Sequence, residues 1–170
     1  MARKWLIDGY NVLHQTPRLK FEFTENATLA LNHFVAMLGD FAVQHRAEVT
    51  VVFDGSPPEG PGSVASPRGV TVRFVGRGEK ADPVIKRLIG AEARPRELVV
   101  VSADREIVDY ARVCGAKVEG PADFQRLLVG ARSRTEQRNG ELLNKYDRPL
   151  SEREVQEWLD LFDQARDEET

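Results

Sequence analysis

Four acids and one amide stand where the chain would leave its apolar runs. Asp8 closes "WLI", Asp54 closes "EVTVVF" and Asp104 follows "LVVVS". Asp82 stands beside Pro83 ahead of the helical pattern Val84, Ile85, Leu88 and Ile89, and Asn11 lies three residues past Asp8. If the apolar runs are strands of one parallel sheet, their ends converge at its carboxyl edge, where such sheets bind ligands. Carboxylates gathered there repel one another and raise each other's pKa. A hard divalent cation, Mg2+ or Mn2+, relieves that repulsion, because it takes oxygen ligands and keeps several waters of its own. Such an ion can lower the pKa of water and stabilise an in-line displacement at a phosphodiester.

Each acid also has an ordinary explanation. Asp8-Gly9 and Asp54-Gly55 are common turn pairs, and Asp82 and Asp104 could be helix caps. Taken together, that account needs acids at three strand ends and one helix start by coincidence. Other chemistries lack their residues. His14, His33 and His45 are scattered and show no zinc-ligand spacing. The first strand is not followed by G-x-G-x-x-G, and no Walker A lysine occurs. An aspartyl-phosphate enzyme of the haloacid dehalogenase type would want an acid two residues after Asp8, where Tyr10 stands.

The elements that must carry these residues read as five strands, over residues 5–8, 48–54, 70–75, 98–102 and 116–119. Two are continuous β-branched runs, as strands covered on both faces should be. Ala27, Leu31, Phe34, Leu38 and Phe41 form one helical stripe, with His45 near its end, and further helices follow Asp82 and Asp104, with another over 123–128. After the first strand we expect a turn. Strands alternating with helices imply an α/β fold with a parallel sheet and right-handed crossovers. The link "GSPPEGPGSVASPRG" has four prolines and four glycines, so it reads as a mobile loop. Near the end, Ser151 with Glu154 is a capping box ahead of Val155, Trp158, Leu159 and Phe162, an amphipathic helix.

Composition fits one globular core: 170 residues, 41% apolar and 30% charged. The single cysteine, Cys114, cannot form an internal disulfide and reads as a small packed hydrophobe. Asp8 interrupts the first apolar run, which excludes a signal-peptide core, and no run reaches membrane-spanning length; a cytoplasmic protein is expected. The net charge of -3 is unevenly spread. Residues 126–148 carry six basic against three acidic side chains, and residues 151–170 carry two against eight. Residues 68–96 carry eight basic against three acidic, a stretch able to track phosphates.

The motifs "LIDGYNVLH", "VVFDGSPP", "GRGEKADPVIKRLI" and "VVVSADREIVDYARVCGAKV", in that order, resemble the NYN domains of the PIN-like nuclease superfamily, most closely the YacP-like group. The resemblance spans about residues 4–130, which we take as the nuclease domain, with 131–170 as a basic linker and C-terminal helical extension. It implies a PIN-like three-layer fold with a five-stranded parallel sheet, and a divalent-metal-dependent endoribonuclease. It carries over Asp8, Asn11, Asp82 and Asp104 as the catalytic set. Asp8, Asp82 and Asp104 would bind Mg2+ or Mn2+, with Asp54 as a further ligand, and Asn11 would position water or phosphate. Arg77, Lys80 and Arg105 are the expected RNA-binding cations. The expected partner is single-stranded RNA, presented by a ribosome or the RNA-decay machinery, with no membrane partner. Two other readings compete. One is an RNA-binding module without turnover, although carboxylates facing phosphate would not help it. The other is an interaction scaffold that works through the C-terminal helix.

Overall fold

The computed structural model describes residues 2–146 and Arg153. Five strands, β1 (Arg3–Asp8), β2 (Ala47–Phe53), β3 (Val70–Phe74), β4 (Leu98–Val101) and β5 (Lys117–Glu119), form one sheet in the order β3-β2-β1-β4-β5. Every neighbouring pair is parallel, as expected from the sequence. The continuous apolar runs fall at the centre of the sheet: β4 is buried throughout and β1 from Trp5 to Asp8. Ile7 sits between Val51 and Val101, and Asp8 lies opposite Val52. This register sets the ends of β1, β2 and β4 side by side.

The helices are α1 (Gly9–Gln15), α2 (Pro17–Glu25), α3 (Ala27–His45), α4 (Ala81–Ala91), α5 (Arg105–Val113) and α6 (Pro121–Tyr146). They divide between the two faces of the sheet. Val12, Leu13, Leu19, Leu31, Phe34, Leu38, Phe41, Phe124 and Leu128 pack with Ile7, Val51 and Val101 on one face. Ile85, Ile89, Ile107 and Ala111 pack with Leu6, Val52 and Val100 on the other. The stripe on α3 is buried as its spacing requires, and Asn26 caps that helix by accepting the Leu29 N–H at 3.0 Å. His45 is exposed and stacks on Phe41.

Several local expectations change. No turn follows β1; the chain passes straight into α1, with Asp8 in extended backbone at the cap position. Gly9 serves close packing: a Cβ there would lie 2.3 Å from the fully buried ring of Phe53. Helix α2 starts at Pro17, and proline at the first helical position was the signal available for it. Helix α4 starts at Ala81, so Asp82 lies inside its first turn, not at the cap.

The link over 55–69 has no helix, but it is tied down in its second half. Asn32 on α3 donates to Ser63 O at 2.9 Å and accepts from Ala65 N at 2.9 Å, and Pro67 faces Gly39. The helix expected over 123–128 extends over Pro121–Tyr146, taking in the first part of the segment read as a linker. By compactness the chain divides into residues 1–135 and 136–170. In the first unit, Arg132 pairs with Asp40 at 3.0 Å, which fixes α6 on α3. In the second, residues 136–146 are helical. The capping box at Ser151 and the apolar face with Trp158 and Phe162 lie outside the described residues. Among the described residues no helix is long and apolar enough to cross a membrane.

Candidate active site

The ends of β1, β2 and β4 and the start of α4 bring Asp8, Asp54, Asp82 and Asp104 within electrostatic reach of one another. Asp8 is the most enclosed, at 9% exposure, and is one of three buried polar side chains among the described residues. Its carboxyl is pushed up to about 6, first by burial and then by the charges of Asp82, Asp54 and Asp104; a hydrogen bond from Ser102 opposes the rise. Asp82 is also raised, by desolvation first and then by Asp104 and Asp54, against the smaller pull of Lys86 and Lys80.

Four of the five polar side chains at this edge are held to the scaffold through one oxygen. Ser102 Oγ donates to Asp8 Oδ2 at 3.0 Å and itself accepts the Asp104 N–H at 3.0 Å, joining the ends of β1 and β4. Asn11 Oδ1 accepts the Ala103 N–H at 3.0 Å, so the amide oxygen of Asn11 fixes the β4–α5 loop. Asp104 Oδ1 caps α5, accepting from Glu106 N at 2.9 Å and Ile107 N at 3.2 Å.

Asp54 caps α4 across 27 residues of sequence, its Oδ1 accepting the Ala81 N–H. What brings Asp54 there is a short antiparallel bridge between Gly55 and Gly76, with φ +70° and +95°, where Gly76 N donates to Gly55 O at 2.9 Å. Both glycines adopt the left-handed backbone that other residues resist. The cap expected of Asp82 therefore belongs to Asp54. Asp82, in the first turn of α4, makes no hydrogen bond among the described residues; its charge meets the helix N-terminus and the nearby Lys86 and Lys80.

The donor chemistry of this edge, carboxylate oxygens with an amide beside them, fits a hard divalent cation and the relief of mutual repulsion it would bring. Among the described residues no group of three or more His, Cys, Asp or Glu side chains is arranged to hold a metal ion by itself. An ion that retains much of its hydration shell, as Mg2+ does, asks for fewer direct ligands.

Cations line the α4–α5 side. Lys80 stands at the cap position of α4 and acts on Asp82, and Arg105 opens α5 in an exposed position next to Asp104. Arg77 is exposed in the turn after β3, between Gly76 and Gly78. Lys86 was not singled out from the sequence. It pairs with Glu106 at 2.9 Å, linking α4 to α5, and also acts on Asp82. Its signal was available: it lies four residues after Asp82, on the same helix face. Ser102 was legible only as part of a motif, because its partner Asp8 lies 94 residues away.

The crystal structure of Rae1 (YacP) from Bacillus subtilis is similar with a TM-score of 0.69 at 22% identity, over 95% of this chain and 93% of that one. A tryptophan-to-leucine mutant of the same protein is similar with a TM-score of 0.65 at 21% identity, over 87% of this chain and 86% of that one. At such identities the likeness concerns the fold. No curated protein matches. A family model described as the YacP-like NYN domain matches residues 5–163, past the motif-bearing stretch and into the C-terminal segment. With its five-stranded parallel sheet and its acids gathered at the carboxyl edge, the chain belongs to the YacP-like NYN domain family, a family of nuclease-like domains.

Proposed function

We propose that this chain is a divalent-metal-dependent endoribonuclease, and that its site is the acidic carboxyl edge. The observation that carries the reading is Asp82. It neither caps its helix nor makes a hydrogen bond among the described residues, yet it is held where Asp54 and Asp104 repel it. A helix gains nothing from that repulsion, whereas a cation site needs it.

Asp82, Asp8 and Asp104 would hold Mg2+ or Mn2+ directly or through waters of its hydration shell, which lets fewer than three carboxylates touch the ion. The ion would supply positive charge to the phosphate and acidity to a water. The chain's own groups do the positioning. Ser102 fixes Asp8 and the start of α5 in one step. Asn11, its oxygen committed to Ala103, offers Nδ2 to a phosphate oxygen. Lys80 and Lys86 offset the repulsion between phosphate and carboxylates, and Arg77 and Arg105 extend the cationic flank along a single strand. Asp54 holds α4 in place and is a positioning residue in this account.

The test is cleavage of single-stranded RNA by wild type and Asp82→Asn in Mn2+, Mg2+ and chelator. The wild type should cleave only with metal. The variant should fold, bind RNA in Ca2+ and leave it intact. RNA bound but uncleaved by the wild type in every metal would make the chain a binding module.

A further inference from the structure

We propose that Tyr10, His14 and Phe23 form a stacking platform for one base of the strand whose phosphate lies at the acidic edge; this deepens the ribonuclease reading and rests on it. Tyr10 and His14 lie one turn apart on α1, and Phe23 comes from α2. The three rings touch one another. Tyr10 and His14 are near-parallel at 22° with centroids 5.8 Å apart, and Phe23 meets His14 edge-on at 5.5 Å and Tyr10 at 5.6 Å. Beneath them, Phe53 contacts Tyr10 at 5.0 Å and is itself fully buried, so Tyr10 has a fixed floor.

Packing accounts for Tyr10 and Phe23, which are half-buried against the core. It does not account for His14. That ring is exposed and has no hydrogen-bond partner among the described residues, whereas exposed His33 is held by Glu22 at 2.7 Å. An aromatic cluster open at one ring is what base stacking uses, and it tolerates any base because every base has a π-face.

Position makes the platform part of the site. Tyr10 lies between Gly9 and Asn11, two residues after Asp8, and its floor Phe53 precedes Asp54. The rings come from α1 and α2, with Tyr10 and Phe23 packed on that face of the sheet, whereas Lys80, Lys86 and Arg105 come from the start and body of α4 and the start of α5, which pack on the other. The acids stand between. A strand crossing this edge can set its phosphates over the cations and turn one base onto the rings.

The test is binding of a fluorescent single-stranded oligoribonucleotide in Ca2+, with an abasic residue placed at each position in turn. Wild type should lose about tenfold in affinity at one position, the size expected for a stacked base. His14→Ala should bind intact RNA about tenfold more weakly and show no further loss at that position, and His14→Phe should restore both. His14→Ala should melt as wild type does, since the ring is exposed. Tyr10→Leu, which keeps the apolar packing, should reproduce the binding loss. If His14→Ala and Tyr10→Leu bind as tightly as wild type, or keep the abasic penalty, the platform is overturned while metal-dependent cleavage by the wild type would still stand. Conversely, a wild type that binds with the abasic signature but never cleaves defeats the nuclease reading alone. A wild type that does not bind single-stranded RNA overturns both.

Discussion

Asp54 and Asp82 look alike in the sequence, one before a glycine and one before a proline, and their environments part them. Asp54 Oδ1 holds the Ala81 N–H, whereas Asp82 makes no hydrogen bond among the described residues and feels only the charges around it. An amide oxygen accepts such a bond about as well as a carboxylate. Asp54→Asn should therefore keep most activity, and Asp54→Ala should lose about 1 kcal/mol of stability and with it the placement of α4. If Asp54→Asn is as inactive as Asp82→Asn, its charge is needed and Asp54 is a ligand. The exchange of roles was not legible in the sequence, because the Asp-Pro pair imitates a cap and the true cap arrives from 27 residues away.

Asp8 gives a pH signature at the same scale. Its folded pKa of about 6 lies above the ordinary aspartate value of 3.8, so between those values the native state binds more protons at this group than the unfolded chain. The Asp8 contribution to stability should be highest below about pH 4, fall as pH rises through about 6, and level off above. Asp8→Asn, which can still accept from Ser102, removes that fall. In chelator it should match wild type near pH 4 and exceed it at pH 7–8 by on the order of 2 kcal/mol. Urea melts at the two pH values check this; equal stability at both would mean that the carboxylate is not under strain.

At the scale of elements, the strands were readable because central parallel strands leave a near-continuous apolar trace. The run "LVVV" needed no context to be placed at the centre of the sheet. Helix α1 was not readable. Asp-Gly carries the signature of a turn, and the true reason for Gly9 is a contact with Phe53, 44 residues on. Because Phe53 is fully buried, Gly9→Ala cannot be absorbed by a free ring. The substitution should cost about 1–3 kcal/mol. It should also disturb activity, since Phe53 supports Tyr10 and leads into Asp54. A thermal melt together with a cleavage assay checks both; a variant as stable and active as wild type would mean that the β1–α1 junction can shift. The link over 55–69 was legible as irregular from its prolines and glycines, but its anchoring through Asn32 depends on side-chain contacts that composition does not encode.

At the scale of the molecule, the topology does what no single motif can. The order β3-β2-β1-β4-β5 places the first, second and fourth strands as neighbours, so residues separated by about a hundred positions in sequence share one edge. The carboxylates were recognisable as a set once a parallel sheet was inferred, because that inference alone brings strand ends together. The groups that complete the edge were not recognisable: Ser102 as a bridge, Lys86 as a counter-charge and the rings on α1 and α2 all depend on which helices cover which face. Around the edge, Lys80, Lys86 and Arg105 come from the layer of α4 and α5, and the rings of Tyr10, His14 and Phe23 from the layer of α1 and α2. The central claim is that the acids between these layers hold a divalent ion. Anomalous diffraction from crystals soaked in Mn2+ tests it most directly. One or two manganese peaks should appear within coordination reach of Asp82 and Asp8 and be lost in Asp82→Asn crystals. Saturating Mn2+ with no peak at this edge, or a peak that survives the substitution unchanged, would contradict it.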